Sequence, residues 1–142
     1  MQAAYNKFEQ FVNDLIHARH DLRATGDTVK QYLSNTVPSA SGDLIKADLA
    51  EITAENGYTA GGDDTQNDTT KSGGTSNMTA VDITVTASGG TIGPFQYLPH
   101  YNDTQASPVD PLICWFDRGS SLTLNDGESH TTDYGSSFFS IT

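Results

Sequence analysis

The chain has 142 residues, a length that predicts one domain with a single core. Its formal net charge is -11, and Arg118 is the only Lys or Arg beyond Lys71. This disfavours direct binding to nucleic acid, because clustered Lys and Arg are needed to neutralise phosphates. The single cysteine, Cys114, excludes an intramolecular disulfide and a CxxC zinc site, and we expect it to be a small buried hydrophobic residue.

Hydropathy and composition indicate a protein without membrane segments. No apolar run approaches the roughly 20 residues of a membrane-spanning helix, and the N-terminus lacks the apolar stretch of a secretory signal. We therefore expect a soluble protein that is made and assembled in a cytoplasm. The hydrophobic fraction of 35% is low, which suggests that a partner chain buries some apolar surface. An acidic exterior would keep the protein soluble at high copy number or let it bind a basic surface.

Apolar residues near the N-terminus recur at the spacing of one helical face. Their pattern within residues 8–16 predicts an amphipathic helix over about residues 5–19. The apolar face is rich in Phe and the opposite face is polar, so we predict that the helix contacts another protein and that a β domain would fold without it. The predicted interface residues are Phe8, Phe11, Val12 and Leu15.

The next segments predict a short strand, an ambiguous region and a polar loop. Alternating residues predict a strand over residues 28–33, and Pro38 ends it. Residues 43–55 fit a short helix as well as an irregular loop. Residues 61–75 contain no apolar side chain and several Gly, so we predict a mobile surface loop that tolerates insertion.

The C-terminal half has the period of two that is typical of half-buried strands. Strands are predicted over residues 81–86, 95–101, 112–117, 122–124, 128–134 and 138–141, and we expect them to form a run of hairpins. Residues 112–116 are apolar on both faces, which predicts a central strand packed on two sides. The fold class we predict is mainly β: an antiparallel β-sandwich or jelly-roll-like domain with an N-terminal amphipathic α-helix.

Two groups of polar residues could hold a metal ion. His17 and His20 are spaced i, i+3 on the predicted helix, and Asp14 or Asp21 could be a third ligand. The polar loop offers oxygen donors for Ca²⁺, although their spacing lacks the Gly and the Glu of an EF-hand loop. These donors are Asp63, Asp64, Asn67 and Asp68. In both places we favour a plain solvated surface, and we predict no metal and no cofactor.

Catalytic groups are sparse. His130, Asp133 and one of several serines could be drawn as a hydrolase triad, but no Gly-x-Ser-x-Gly elbow or oxyanion-type turn supports it, so we predict that the protein is not an enzyme. A set of aromatic residues could form a platform for a sugar, yet their alternating strand positions favour the core. The set comprises Tyr97, Tyr101, Trp115, Phe116, Phe138 and Phe139.

Short motifs follow one another along most of the chain. In the N-terminal half they are Phe8 with Phe11, Asp27-Thr28-Val29-Lys30, Asn35-Thr36-Val37-Pro38 and Gly57-Tyr58-Thr59-Ala60-Gly61-Gly62. In the C-terminal half they are Tyr101-Asn102-Asp103-Thr104, Pro111-Leu112-Ile113, Asp117-Arg118-Gly119-Ser120 and Gly127-Glu128. In this order they resemble a family of small structural proteins of tailed-phage virions.

The resemblance implies a virion component. Our first expectation is a capsid decoration (cement) protein that binds the major capsid protein or other virion proteins on the capsid surface, as a homo-oligomer. A tail-fibre-associated or receptor-binding module and a head-tail or tail adaptor are the alternatives. Copy number separates them, since decoration implies hundreds of copies per particle and a tail part far fewer.

Overall fold

The computed structural model describes residues 3–142, and its architecture is mainly β. In chain order the elements are β1 (Ala4–Lys7), α1 (Glu9–Ile16), β2 (Val29–Gln31), a 3-10 helix (Lys46–Asp48), β3 (Asp63–Asp64), β4 (Asp68–Ser72), β5 (Thr75–Thr79), β6 (Ile83–Thr86), β7 (Ile92–Asn102), β8 (Leu112–Leu124), β9 (Ser129–Thr132) and β10 (Phe139–Ile141). The prediction of a mainly β fold with antiparallel sheets and one N-terminal helix is confirmed.

The described strands form three antiparallel sheets. The largest has five strands in the order β1-β8-β7-β2-β3, the second has the order β10-β5-β4, and β6 pairs with β9. The long strands β7 and β8 form the central hairpin, in which Leu98 lies opposite Phe116 and Pro99 lies opposite Trp115. The strand β1 extends this hairpin on the β8 side, so one edge of the five-stranded sheet is made by the N-terminal segment.

The five-stranded sheet is packed on both faces. Residues 112–116 are all buried, which confirms the predicted central strand. Successive side chains of a strand point to opposite faces, so Phe116 and Trp115 enter two different apolar clusters. Cys114 is buried in the same cluster as Phe116, as predicted for a small hydrophobic residue.

The N-terminal helix is shorter than the predicted span of residues 5–19. Ala4–Lys7 is an edge strand, with Ala4 opposite Asp117 and Lys7 opposite Cys114, and the helix covers only Glu9–Ile16. A helix this short is marginal in water, so sheet pairing and tertiary packing decide the conformation of the segment. Contrary to the prediction of a separable helix, the segment is built into the β domain.

The helix ends in a turn with left-handed backbone at Ala18, where φ is 56°. The N–H of Ala18 donates to the carbonyl of Leu15 at 3.1 Å, and the N–H of Arg19 donates to the carbonyl of Asp14 at 2.9 Å. This pair of bonds defines a Schellman motif, in which the left-handed position usually holds Gly. Because the chain has Ala there, the sequence carries no stop signal and the predicted helix extends too far.

The structure decides the open prediction for residues 43–55 and differs from the prediction for residues 61–75. Residues 43–55 form an irregular loop with one 3-10 turn, Lys46–Asp48. Residues 61–75, predicted as a mobile loop, contain β3 and β4 and the turn into β5. Asn67 anchors this region, because its Oδ1 accepts the N–H of Val29 at 2.9 Å and its Nδ2 donates to the carbonyl of Leu22 at 2.9 Å. Buried hydrogen bonds supply the order that apolar residues do not.

Apart from the β7–β8 hairpin, the C-terminal strands do not form the predicted run of hairpins. The single strand β8 covers residues that were predicted as two separate strands, 112–117 and 122–124. The turn after β8 leads to β9, but β9 pairs with β6, and β10 pairs with β5. The period of two identifies the strands, whereas their partners are set by long-range packing.

Candidate interaction surface

Two phenylalanines of the predicted interface belong to the domain core. Phe8 is completely buried, and the centroid of its ring lies 4.6 Å from that of Trp115. Phe11 is also buried and packs edge-on against Phe139 at 5.5 Å between ring centroids. Contrary to the prediction, neither ring is free to contact another protein.

The outer side of α1 and the neighbouring strand keep apolar side chains in solvent. Val12 is 43% exposed and Ile16 is 77% exposed, one helical turn apart, whereas Leu15 is half-buried against the core. Ile141 of β10 is 46% exposed and Tyr5 of β1 is 38% exposed. We call these five residues the α1–β10 surface. It keeps Val12 and Leu15 of the predicted interface and adds three residues that the helical pattern did not predict as interface.

A groove of about 320 Å³ runs through the α1–β10 surface. It is lined by Tyr5, Val12, Leu15 and Ile141, and Lys7 is the only Lys, Arg, Asp or Glu among the described residues of the lining. The chain has a net charge of -11, yet no Asp or Glu side chain is among the described residues that line the groove. A protein could therefore bind there without desolvating a carboxylate side chain.

The strand β1 borders this surface with a free backbone edge. The N–H of Phe8 donates to the carbonyl of Ile113 at 3.2 Å, which continues the register of β1 with β8. Hydrogen-bonded positions alternate along an antiparallel pair, so Asn6 bonds to β8 while the N–H and C=O groups of Tyr5 and Lys7 point away from it. In the described chain β1 pairs only with β8, so the outward N–H and C=O groups of Tyr5 and Lys7 form one edge of the five-stranded sheet.

A buried carboxylate holds α1 in position. The Oδ1 atom of Asp14 accepts hydrogen bonds from Nε2 of Gln10 at 2.9 Å and from the guanidinium of Arg19 at 2.7 Å. Asp14 is completely buried, whereas Arg19 is about one-third exposed. A buried charge needs such a partner, so the ion pair ties the last turn of α1 to the segment that follows it.

The histidines of the predicted metal site do not lie on one helical face. His17 is the C-cap residue of α1 and is exposed, while His20 lies beyond the left-handed turn. Nδ1 of His20 accepts from the amide of Asn102 at 3.0 Å. Burial lowers the pKa of His20, although the carboxylates of Asp14 and Asp27 act in the opposite direction. The ring is therefore neutral at pH 7 and serves the packing of this segment.

The carboxylates considered for Ca²⁺ serve the backbone. The side chain of Asp64 accepts the N–H of Gln66 at 2.8 Å, and that of Asp68 accepts the N–H of Thr69 at 2.8 Å. Asn67 uses its amide in the buried bonds to Val29 and Leu22 described above. Across residues 3–142, no three His, Cys, Asp or Glu side chains are grouped in a way that could hold a metal ion.

His130 and Asp133 line one cavity of about 300 Å³ together with Arg118 and Thr132. The carboxylate of Asp133 accepts the N–H of Gly135 at 2.8 Å, and none of the described residues that line the cavity is a serine. Burial lowers the pKa of His130 to about 4, with a further contribution from the guanidinium of Arg118. His130 and Asp133 therefore share a cavity, but within residues 3–142 no serine lines it.

A buried polar chain in the core was not predicted from the sequence. Nε2 of His100 lies 2.7 Å from the hydroxyl of Tyr134, which donates to Oε1 of Gln31 at 3.1 Å. Burial lowers the pKa of His100 to about 3, so the ring is neutral. Because the one hydroxyl hydrogen of Tyr134 goes to Gln31, Nε2–H of His100 donates to the Tyr134 oxygen. The one signal in the sequence for this buried polar chain was His100, a polar residue among apolar neighbours in the strand predicted over residues 95–101.

The aromatic residues considered for a sugar platform lie mainly in the core, as the alternation favoured. Five of the six are buried, and Phe139 is partly exposed beside the α1–β10 surface. The buried members are Tyr97, Tyr101, Trp115, Phe116 and Phe138. They stabilise the two faces of the sheet and offer no flat exposed array.

Comparisons of the chain with known family models, with curated proteins and with solved structures give no match. Within residues 3–142, no helix has the length and apolar character needed to cross a membrane.

Proposed function

We propose that this protein is a structural component of a tailed-bacteriophage virion, specifically a capsid decoration (cement) protein. The observation that carries the proposal is the α1–β10 surface, where apolar side chains remain exposed on an acidic protein. Contiguous exposed apolar residues on soluble proteins mark sites of protein contact. The motif resemblance supplies the partner class, which is the major capsid protein or another virion protein.

Binding would bury the exposed parts of Val12, Ile16 and Ile141. Complete burial of a Val or Ile side chain contributes about 1.5–3 kcal/mol. These three are 43%, 77% and 46% exposed, so roughly half of that value remains available at each. The sum is a few kcal/mol per copy, before the cost of association. Repeated over many equivalent sites, such a contribution would stabilise the closed shell against rupture.

The acidic surface and the apolar surface would have separate roles. The net charge of -11 would keep free copies soluble and attract them to a basic region of the shell. The α1–β10 surface would then make the short-range contact. This role is mechanical and needs neither a cofactor nor a chemical reaction.

The proposal can be tested on purified phage particles that carry the protein. Val12→Asp and Ile16→Asp place a charge on the α1–β10 surface. Val37→Asp is the matched control, because Val37 is 72% exposed and is not one of the five residues of that surface. We expect the first two variants to be lost from the particles and the control to remain. The readout is the band intensity of the protein relative to the major capsid protein on a gel.

Particles that lack the protein provide the second readout. Shells should still assemble but should rupture sooner under heat or low salt. Normal shell stability with lost host adsorption would overturn the proposal in favour of receptor binding. Normal shells without tails would overturn it in favour of an adaptor.

A further inference from the structure

The geometry points to a second copy of this chain as the occupant of the β1 edge. The two β1 strands would pair antiparallel across a two-fold axis and join two five-stranded sheets into one. This inference deepens the expectation that the protein is a homo-oligomer. Only the location of the dimer on a virion rests on the proposed function. It is carried by the free backbone edge, by its self-complementary register and by Tyr5, the partly exposed aromatic residue of that edge.

The backbone groups at the edge are complementary to another strand. Tyr5 and Lys7 direct their N–H and C=O groups away from β8, as the bond from Phe8 to Ile113 and the alternation of the ladder require. Such an edge is a template for another strand. With Asn6 on the axis, Tyr5 of each copy lies opposite Lys7 of the other, which allows four backbone hydrogen bonds.

The side chains also fit this two-fold register. Lys7 is the only charged residue of β1, and the register places it opposite Tyr5 of the second copy and not opposite another Lys7. Like charges directly opposite one another are avoided, and the ammonium group can reach the face of an aromatic ring. Asn6 would face its own equivalent at the axis, where two amides can hydrogen-bond to each other.

The apolar surface is continuous with this edge. Tyr5 belongs to both, and its ring lies 5.9 Å from that of Phe139 and 6.0 Å from that of Phe116, measured between centroids. Pairing at β1 would therefore place Tyr5 against the second copy, while Val12, Ile16 and Ile141 would remain for the contact with the shell. The hydrogen-bonded edge would set the orientation of the dimer, and burial of Tyr5 would add apolar contact.

The overall charge works against this association. Two chains that each carry -11 repel one another, and salt screens that repulsion. We therefore expect the dimer to become tighter as the salt concentration rises from 0.05 M to 0.5 M, in contrast to an interface held by ion pairs.

Sedimentation equilibrium of the full chain tests the inference with a matched pair of variants. Lys7→Pro removes an outward N–H and spares the bonds of β1 to β8, whereas Lys7→Ala removes the charged side chain and keeps the N–H. We expect wild type to dimerise, Lys7→Ala to retain the dimer, and Lys7→Pro to weaken it at least about tenfold, because two backbone donors are lost per dimer. A thermal melt of each variant shows whether the fold is kept.

Hydrogen exchange gives a readout that needs no variant. In wild type, the amides of Tyr5 and Lys7 should become protected as the protein concentration rises, while exposed amides of the β4–β5 turn should not change. A chain that stays monomeric up to millimolar concentration, or a dimer without new protection at these two amides, would overturn the inference. Particle binding is measured separately, so a monomer that still decorates shells would refute the dimer and leave the proposed function standing.

Discussion

Replacing Ala18 by Gly should stabilise the protein. Ala18 has a φ of 56° and closes the Schellman motif at the end of α1. The side chain is exposed, so its methyl group contributes little packing that could be lost. The substitution therefore mainly changes the backbone preference at a single left-handed position.

Two opposing terms set the magnitude. A non-glycine residue in left-handed backbone costs about 1–2 kcal/mol. Gly increases the conformational entropy of the unfolded chain, which costs about 0.4–1 kcal/mol. The net expectation is a gain of roughly 0.5–1 kcal/mol in the free energy of unfolding, or about 2–3 °C in Tm for a chain of this size.

The matched control is Ala54→Gly. Ala54 is also exposed and does not have a positive φ, so Gly there adds the same unfolded-state entropy without any relief. In chemical denaturation, the free energy of unfolding should be higher than wild type for Ala18→Gly and lower than wild type for Ala54→Gly. The two variants should differ by about 1–2 kcal/mol. Equal destabilisation by both would refute the assignment of a strained left-handed turn at residue 18.

Three further predictions follow from the core and its polar anchors. Burial lowers the pKa of His100 to about 3, so the unfolded chain takes up a proton below pH 6.5 that the folded chain does not, and the free energy of unfolding should fall as the pH drops from about 6.5 towards 4. NMR should show no protonation of this ring in the folded protein above pH 5. Deleting residues 1–20 should abolish cooperative thermal unfolding, because β1, Phe8 and Phe11 are lost. Asn67→Ala should cost about 2–3 kcal/mol in urea denaturation, because buried backbone groups lose their partner.

Each of these has an outcome that contradicts it. Titration of His100 near pH 6.5 in the folded state would mean that the ring is not buried in the core. A truncated chain that still melts cooperatively would restore the view of a separable helix. Asn13→Ala is the control for Asn67→Ala, because Asn13 is exposed on α1, and equal effects of the two would show that the Asn67 hydrogen bonds contribute nothing specific.

Local patterns predicted the type of most elements but not their partners. The alternation of Val81, Ile83 and Val85 gives a strand at Ile83–Thr86, and the apolar run at residues 112–116 gives the buried central strand. Pairing of β9 with β6, and of β10 with β5, could not be read from turn residues. Hairpin expectations rely on proximity in sequence, whereas these pairings form between distant segments that share a core.

The candidate surface was predicted only in part for the same reason. The spacing of Phe8, Phe11, Val12 and Leu15 correctly identifies an amphipathic helix, but it does not say which apolar side chains meet the chain's own sheet. Packing against Trp115 and Phe139 buries the two phenylalanines and leaves Val12 in solvent. A second strand, β10, then completes the surface with Ile141, which lies far away in the sequence.

The sequence by itself determined the properties that depend on local periodicity and composition: a mainly β domain, an acidic exterior, a buried Cys114 and a central strand. The tertiary structure alone decided which polar residues are anchors and which apolar residues are exposed. Asn67 orders a segment with no apolar residue, and β1 forms in place of the first turns of a helix. In both cases long-range hydrogen bonds and shared burial outweigh the local conformational preference of the segment. These contacts form only when distant segments come together, so a local sequence pattern cannot predict them.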